Sequence, residues 1–146
     1  MSLKNWFNNG WLKKHQTSLQ EIKNLLKIVD RDLSDAKKSI SLDWQFGIAY
    51  NAALKLCTIL LYTEGYKPER NLQHFRTIQA LPLIMGNQKT SDAQYLNTCR
   101  IKRNTMEYDY AGGITYNESS ELIDFVETFK QEVVEWLKKN HPEIAP

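Results

Sequence analysis

Apolar residues recur every three or four positions along much of the chain. Between residues 18 and 40 they occupy the following positions: Leu19, Ile22, Leu26, Val29, Leu33, Ala36 and Ile40. This spacing keeps the apolar side chains on one side of an α-helix and is typical of a helix in a bundle. Ser18 stands three residues before Glu21, a capping-box spacing that predicts the start of the helix.

A second apolar stripe follows and predicts a second helix. Either Ser41 or Asp43 is expected to cap its start. Its apolar positions are Phe46, Ala49, Tyr50, Ala53, Cys57, Leu60 and Leu61. Gly65 and Pro68 end it, because glycine accepts the left-handed backbone common after a helix and proline cannot continue the helix.

The next part of the chain predicts two further helices. A short helix is expected over residues 74–85, where Pro82 would kink it or end it. A longer one is expected over residues 91–109, starting at a capping-type Ser91. Residues 111–113 then interrupt the helical pattern.

A fifth helix is expected to start at residues 115–117, with Thr115 and Glu118 as its capping box. Its apolar positions are Leu122, Val126, Phe129, Val133, Trp136 and Leu137. The dipeptide His141-Pro142 is expected to end it.

No segment alternates convincingly enough to predict a strand, and residues 66–73 read as a loop. The first fifteen residues are expected to form a short helix over one end, anchored by Trp6, Phe7 and Trp11. We therefore predict one all-α domain over residues 1–146 with a core at about 18–140. Its architecture would be an up-and-down bundle of four to five helices with a short N-terminal helix.

Composition fits an ordinary globular domain. The chain has 146 residues, 42% hydrophobic and 25% charged, which is enough for one core. Its net charge of +2 is too small to indicate nucleic-acid binding without local clustering of cations. We see no signal peptide and no membrane span. Cys57 and Cys99 match no metal or redox spacing, so we expect buried thiols, no metal and no cofactor, in a cytoplasmic protein.

An arginine interrupts the apolar stripe of the fourth helix. The stripe runs through Leu96, Cys99, Arg103, Met106 and Tyr110. One interpretation is that the arginine stem packs on the bundle while its guanidinium reaches water at the edge. The other is that this side of the helix lines a polar cleft. A guanidinium fork matches two oxygens of a phosphate, and Asn104, Glu107 and Asp109 supply polar neighbours.

His74 is the candidate general base, because an imidazole titrates near neutral pH. His15 and His141, the other histidines, lie in predicted terminal segments. A lone histidine at a helix start is nevertheless more often a surface residue. Tyr108 and Tyr110 would pack at the helix end or orient a phosphate. With a reference pKa of about 10, only about one tyrosine in a thousand is ionised at pH 7.

The motif around Arg103 resembles the signature of the HEPN domain family. In that signature an arginine and a polar residue precede a histidine by a short gap, often with a tyrosine two residues later. The resemblance covers roughly residues 18–140, including Gly-Tyr-x-Pro and Thr-Ile-Gln-Ala-Leu-Pro. The stretches that carry it are Leu25–Ile28, Phe46–Leu61, Glu64–Pro68, His74–Leu83 and Arg100–Asp109.

The resemblance implies both a fold and an activity. HEPN proteins are up-and-down helical bundles that commonly form homodimers, in which two copies of the motif face one cleft. Active members are metal-independent endoribonucleases in which the arginine binds the scissile phosphate and the histidine acts as acid or base. Many are toxins paired with a small nucleotidyltransferase antitoxin. Others have lost the chemistry and serve in binding or assembly.

By position, Arg103 and Asn104 match the phosphate-binding pair and Tyr110 matches the trailing tyrosine. Tyr108 stands where the family has its histidine. This departure puts nuclease activity in question. His74 could replace the missing histidine only if its helix start reaches the same cleft.

Arg100, Tyr110 and Asp109 are the expected binding residues around the motif. The favoured hypothesis is an RNA- or nucleotide-binding protein with altered ribonuclease activity, in a toxin–antitoxin or defence pair. The alternative is an inactive module that pairs with a nucleotidyltransferase. A third hypothesis is a bundle enzyme of another class that uses His74 and Glu107, which no motif supports.

Overall fold

The computed structural model describes residues 1–38, 41–108 and 112–146, without the side chains of residues 106–108. The helices are α1 Leu3–Asn8, α2 Leu19–Lys38, α3 Leu42–Thr63, α4 Gln73–Gln79, α5 Leu81–Met85, α6 Thr90–Tyr108 and α7 Tyr116–Asn140. The strands are β1 Leu12–Lys14 and β2 Tyr66–Pro68, and single 3-10 turns cover Asn87–Lys89 and Pro142–Ile144. The protein is an all-α helical bundle, as the periodicity predicts.

Helix α3 is the centre of the bundle. It contacts α2, α4, α5, α6, α7 and β2, and apolar residues surround nearly its whole circumference. It is long and apolar enough to cross a membrane, but 67% of its most apolar window is buried inside the fold. A helix that is apolar all round and covered by other helices is what a bundle core requires.

Side-chain caps fix the helix starts that the sequence predicts. The Ser18 hydroxyl accepts a hydrogen bond from the Glu21 amide at 3.1 Å, and Ser41, not Asp43, caps α3 through the Trp44 amide at 3.1 Å. Thr115 starts α7 with the full reciprocal capping box. Each cap satisfies an amide that has no partner within its helix.

Leu19 was placed on the buried stripe of α2, but 37% of it is exposed. It lies in the first turn of α2, whose buried side begins at Ile22. Ile40, the last predicted position of the stripe, lies outside the described residues.

The prediction of no strand was wrong. β1 and β2 pair antiparallel, with Leu12 opposite Pro68, Lys13 opposite Lys67 and Lys14 opposite Tyr66. Three residues are too few to show an alternating pattern, and the two strands are far apart in sequence. The loop predicted for residues 66–73 therefore begins with a strand that ties the N-terminal segment to the end of α3.

The predicted helix over residues 74–85 is two helices, α4 and α5, which meet at Ala80. Pro82 lies in the first turn of α5, where its missing N–H needs no acceptor. The fourth helix starts at Thr90, so Ser91 lies inside it and is not its cap. The turn Asn87–Lys89 leads directly into that helix.

The N-terminal segment packs as predicted, through its aromatic residues. Trp6 is buried in a small cluster with Leu12, Leu61 and Ala80. The Arg76 guanidinium lies 3.9 Å from the ring centre of Trp11. These contacts fix β1 beside α4 and so place Lys13 near the start of that helix.

Candidate anion-binding site

Arg103 projects from α6 toward the central helix. Leu96 and Cys99, two turns and one turn before it, are 1% and 3% exposed, whereas Arg103 is partly exposed. Its guanidinium carbon lies 5.4 Å from the ring centre of Tyr50. Tyr50 is fully buried, and burial raises the pKa of its phenol, so the ring is a neutral platform for the guanidinium. The arginine therefore reaches the edge of the core.

His74 lies close to Arg103. The imidazole is half-buried in the first turn of α4. Burial lowers its pKa, and the charges of Arg103, Lys55 and Arg100 lower it further. The imidazole is therefore neutral at pH 7, with its lone pair available, beside cations from α3 and α6. The packing of α4 on α6 thus places His74 within range of the charge of Arg103.

Arg100 lies one turn before Arg103 and faces α4. Its guanidinium carbon is 5.5 Å from the ring centre of Phe75. Its Nε donates to the Asn97 Oδ1 at 2.9 Å, which fixes the direction of the side chain. Arg100 and Arg103 therefore form a basic edge of α6 next to the start of α4.

A basic pocket of about 330 Å³ continues from His74, between α3, α4 and the two strands. The cations that line it are Lys13, Lys55, Lys67 and Arg70, and none of the described residues in its wall is acidic. Among the described residues, Lys13 alone of these four has an ion pair, a 3.6 Å contact with Glu69. We call these four cations with His74 the basic pocket.

The structure describes only some of the residues predicted to surround Arg103. Asn104 is exposed on α6. The side chains of Glu107, Tyr108, Asp109 and Tyr110 lie outside the described residues, so the proposed roles of these residues stay predictions.

The sequence did not predict the lysines and Arg70 of the basic pocket, because they come from separate elements. Only Lys67 and Arg70 are close enough in sequence to give a local signal.

The remaining histidines have structural contacts. His15 lies with its ring centre 4.2 Å from that of Tyr62 and its Nε2 2.7 Å from the Glu21 carboxylate. His141 packs against Trp136 with ring centres 5.2 Å apart.

Cys57 and Cys99 are buried free thiols, and burial raises the pKa of Cys57 to about 12. In the described part of the chain, no group of three His, Cys, Asp or Glu residues is arranged to hold a metal.

Comparisons with known proteins give no relative: the chain matches no protein-family model, no curated protein and no solved structure at a significant level.

Proposed function

We propose that the protein binds RNA or nucleotide phosphate at the cleft between Arg103 and His74 and cleaves RNA without a metal ion. The observation that carries this proposal is the packing of α4 on α6. It places the Arg100 guanidinium 5.5 Å from the ring centre of Phe75, next to His74, and His74 within range of the Arg103 charge. A phosphate needs cations to bind it, and a neutral imidazole can take up a proton. The cations of α6 beside His74, where α4 meets α6, support both requirements.

The chemistry needs few groups. Arg103 would hold the scissile phosphate through its two parallel N–H donors. His74 would accept the proton of the ribose 2′-hydroxyl, whose oxygen attacks phosphorus and forms a 2′,3′-cyclic phosphate. The bond to the 5′-oxygen breaks, and that oxygen takes a proton from an acid or from water. His74 thereby assumes the role that the HEPN histidine has and that Tyr108 cannot easily fill, because a phenol is a weak base near neutral pH.

The HEPN resemblance supplies the biological setting of this proposal. The protein would be the ribonuclease toxin of a toxin–antitoxin or defence pair, and a homodimer would bring two copies of the Arg103 motif to one cleft. A nucleotidyltransferase of the antitoxin type is the proposed partner.

A second candidate function, an inactive module that pairs with such a nucleotidyltransferase, is favoured by two exposed aromatic residues. Trp44 and Tyr116 are 65% and 71% exposed, in the first turns of α3 and α7. These turns are neighbours, because the Ser119 hydroxyl donates to the Gln45 side chain at 3.1 Å. Aromatic side chains that remain exposed in the monomer are typical of protein contact surfaces.

An RNA-cleavage assay in the presence of a chelator tests the proposal. Single-stranded RNA is incubated with the parent protein and with Arg103→Ala and His74→Ala, all purified identically, and Lys138→Ala serves as a charge-loss control. We expect cleavage by the parent and the control, and its loss in both site variants. Equal cleavage by all four proteins would indicate a contaminating nuclease. RNA binding without cleavage would exclude the ribonuclease and favour the inactive module.

A further inference from the structure

The basic pocket is built by the tertiary structure and not by one helix. Lys55 comes from α3, Lys13 and Lys67 from the two strands, and Arg70 from the segment that leads into α4. Lys55 is partly buried on α3. The fold thus gathers four cations and His74 around one concave surface.

This arrangement carries an electrostatic cost in the absence of a ligand. Lys13 and Lys67 are directly opposed in the antiparallel pair, and like charges in that position destabilise a sheet. Within the described chain, neither Lys55, Lys67 nor Arg70 has a carboxylate in ion-pairing distance. An anion in the pocket would offset this repulsion, because Lys55, Lys67 and Arg70 would then gain a partner.

His74 relates the basic pocket to Arg103. His74 lines the pocket and is also close enough to Arg103 and Arg100 for their charges to act on it. Lys55 acts on His74 from the pocket side. A chain of phosphates that passes His74 would therefore meet cations on both sides.

We propose that the basic pocket is a second phosphate site, which holds a neighbouring phosphodiester of the same single-stranded RNA whose scissile phosphate lies at Arg103. A positively charged groove that follows the backbone is how proteins bind single strands without reading their sequence. The proposal rests on the proposed function, since it takes the Arg103 cleft as the place of the first phosphate. It adds that affinity depends on residues that lie outside the HEPN-like motif.

The salt dependence of RNA binding tests this proposal. Fluorescence anisotropy of a labelled single-stranded RNA is measured over a range of salt concentrations for the parent protein and for Lys67→Ala/Arg70→Ala. The matched control, Lys38→Ala/Lys138→Ala, also loses two positive charges, but from the groove between α2 and α7. Thermal unfolding of each protein shows whether its fold is intact.

We expect the pocket variant to bind RNA at least about tenfold more weakly, because each hydrogen bond to a charged group contributes about 1.5–3 kcal/mol. Its slope of log affinity against log salt should be shallower by roughly 1.4, since each phosphate contact to a single strand contributes about 0.7. The control should retain the parent slope. Arg103→Ala should also weaken binding.

The outcomes separate this inference from the proposed function. If Arg103→Ala loses RNA while the pocket variant keeps the parent affinity and slope, the second site is wrong and the proposed function stands. If the pocket variant loses RNA while Arg103→Ala does not, the pocket binds nucleic acid but the proposed site at Arg103 fails. An absence of RNA binding by the parent protein overturns both. The second site would also be overturned if inorganic phosphate stabilises the parent protein against heat but the pocket variant keeps the parent's salt slope for RNA binding.

Discussion

Two concave surfaces of this protein differ in how their charges are arranged. The groove between α2 and α7 is the larger, at about 790 Å³, and the basic pocket has about 330 Å³. Three carboxylates accompany the lysines of the groove, where Lys37 pairs with Glu127 and Lys130 with Asp30. The basic pocket has four cations and, in the wall that the structure describes, no carboxylate.

The two surfaces differ in charge pairing as well as in volume, and we choose between them by charge pairing. The ion pairs of the groove connect one helix to another and leave little charge for a ligand. In the basic pocket, Lys13 alone has an ion pair among the described residues, and Lys13 and Lys67 face each other across the strand pair. Because uncompensated charge close to a titratable group is characteristic of functional sites, the smaller surface is the better candidate.

Reversing one charge in each surface should give the largest contrast. Lys55→Glu places a carboxylate in the pocket that His74 also lines. We expect RNA affinity to fall by about 100-fold, the equivalent of one lost charged contact with added repulsion. Lys138→Glu, in the groove, should change affinity by less than about threefold, because distant exposed charges are screened by salt. Anisotropy titrations measure both. Lys55→Gln, which has a long polar side chain without a charge, should give an intermediate loss of RNA affinity. Equal affinities for all three variants would show that the basic pocket contributes no more to RNA binding than the groove does.

Removing a buried, paired lysine should affect stability and not RNA. Lys89 is 7% exposed, and its Nζ contacts Glu132 at 2.7 Å and Asp92 at 3.0 Å. We expect Lys89→Met to lower the free energy of unfolding by about 2 kcal/mol, less than for a fully buried pair because both carboxylates are partly solvated. Chemical denaturation measures this change. RNA affinity at a temperature where the variant is folded should equal that of the parent, and a marked loss would place Lys89 in the binding surface.

The two surfaces also show what the sequence could predict. The bundle followed from periodicity, because Ile22, Val29 and Leu33 repeat with the helical period. Arg103 was found because it breaks such a stripe. The basic pocket was beyond sequence reasoning, since Lys13 and Lys67 come together only when two three-residue strands pair.

The position of His74 had the same limitation. Its residue type made it a candidate base, but its nearness to Arg103 depends on how α4 packs on α6. The break at Ala80 could not be placed from sequence, because Pro82 permits either a kink or a new helix start. Local signals thus predicted the long helices, whereas long-range contacts determine the two strands and the candidate site.

The pH dependence of RNA binding tests whether a bound phosphate lies beside His74, the residue shared by the basic pocket and the proposed Arg103 site. Burial, then Arg103, Lys55 and Arg100, lower the pKa of His74 in the free protein. A bound phosphate favours the imidazolium, so the pKa is higher in the complex and binding takes up a proton. Affinity should therefore rise as pH falls below about 7, by at most about tenfold per pH unit for one proton. His74→Asn should remove this rise, and an unchanged pH profile in that variant would show that the phosphate lies away from His74.

The same shift predicts a small effect of pH on stability. Because the pKa of His74 is lower in the folded than in the unfolded protein, the unfolded chain binds the extra proton first. The free energy of unfolding should thus decrease as pH falls through the unfolded pKa of about 6.5. Denaturant titrations of the parent and His74→Asn at pH 7.5 and 5.5 measure the difference, which should be smaller in the variant. A larger decrease in the variant would contradict the direction of the shift.

The smallest effect is expected from making the groove resemble the pocket. Glu127→Gln removes the carboxylate that pairs with Lys37 and leaves the groove with more uncompensated positive charge. Both side chains are substantially exposed, so the free energy of unfolding should change by less than about 1 kcal/mol. RNA affinity should stay within about twofold of the parent, because a gain of one distant charge is screened. A strong increase in RNA affinity would mean that the groove binds RNA once this carboxylate is removed. Unpaired positive charge would then be enough to bind RNA, without Arg103 and His74 nearby.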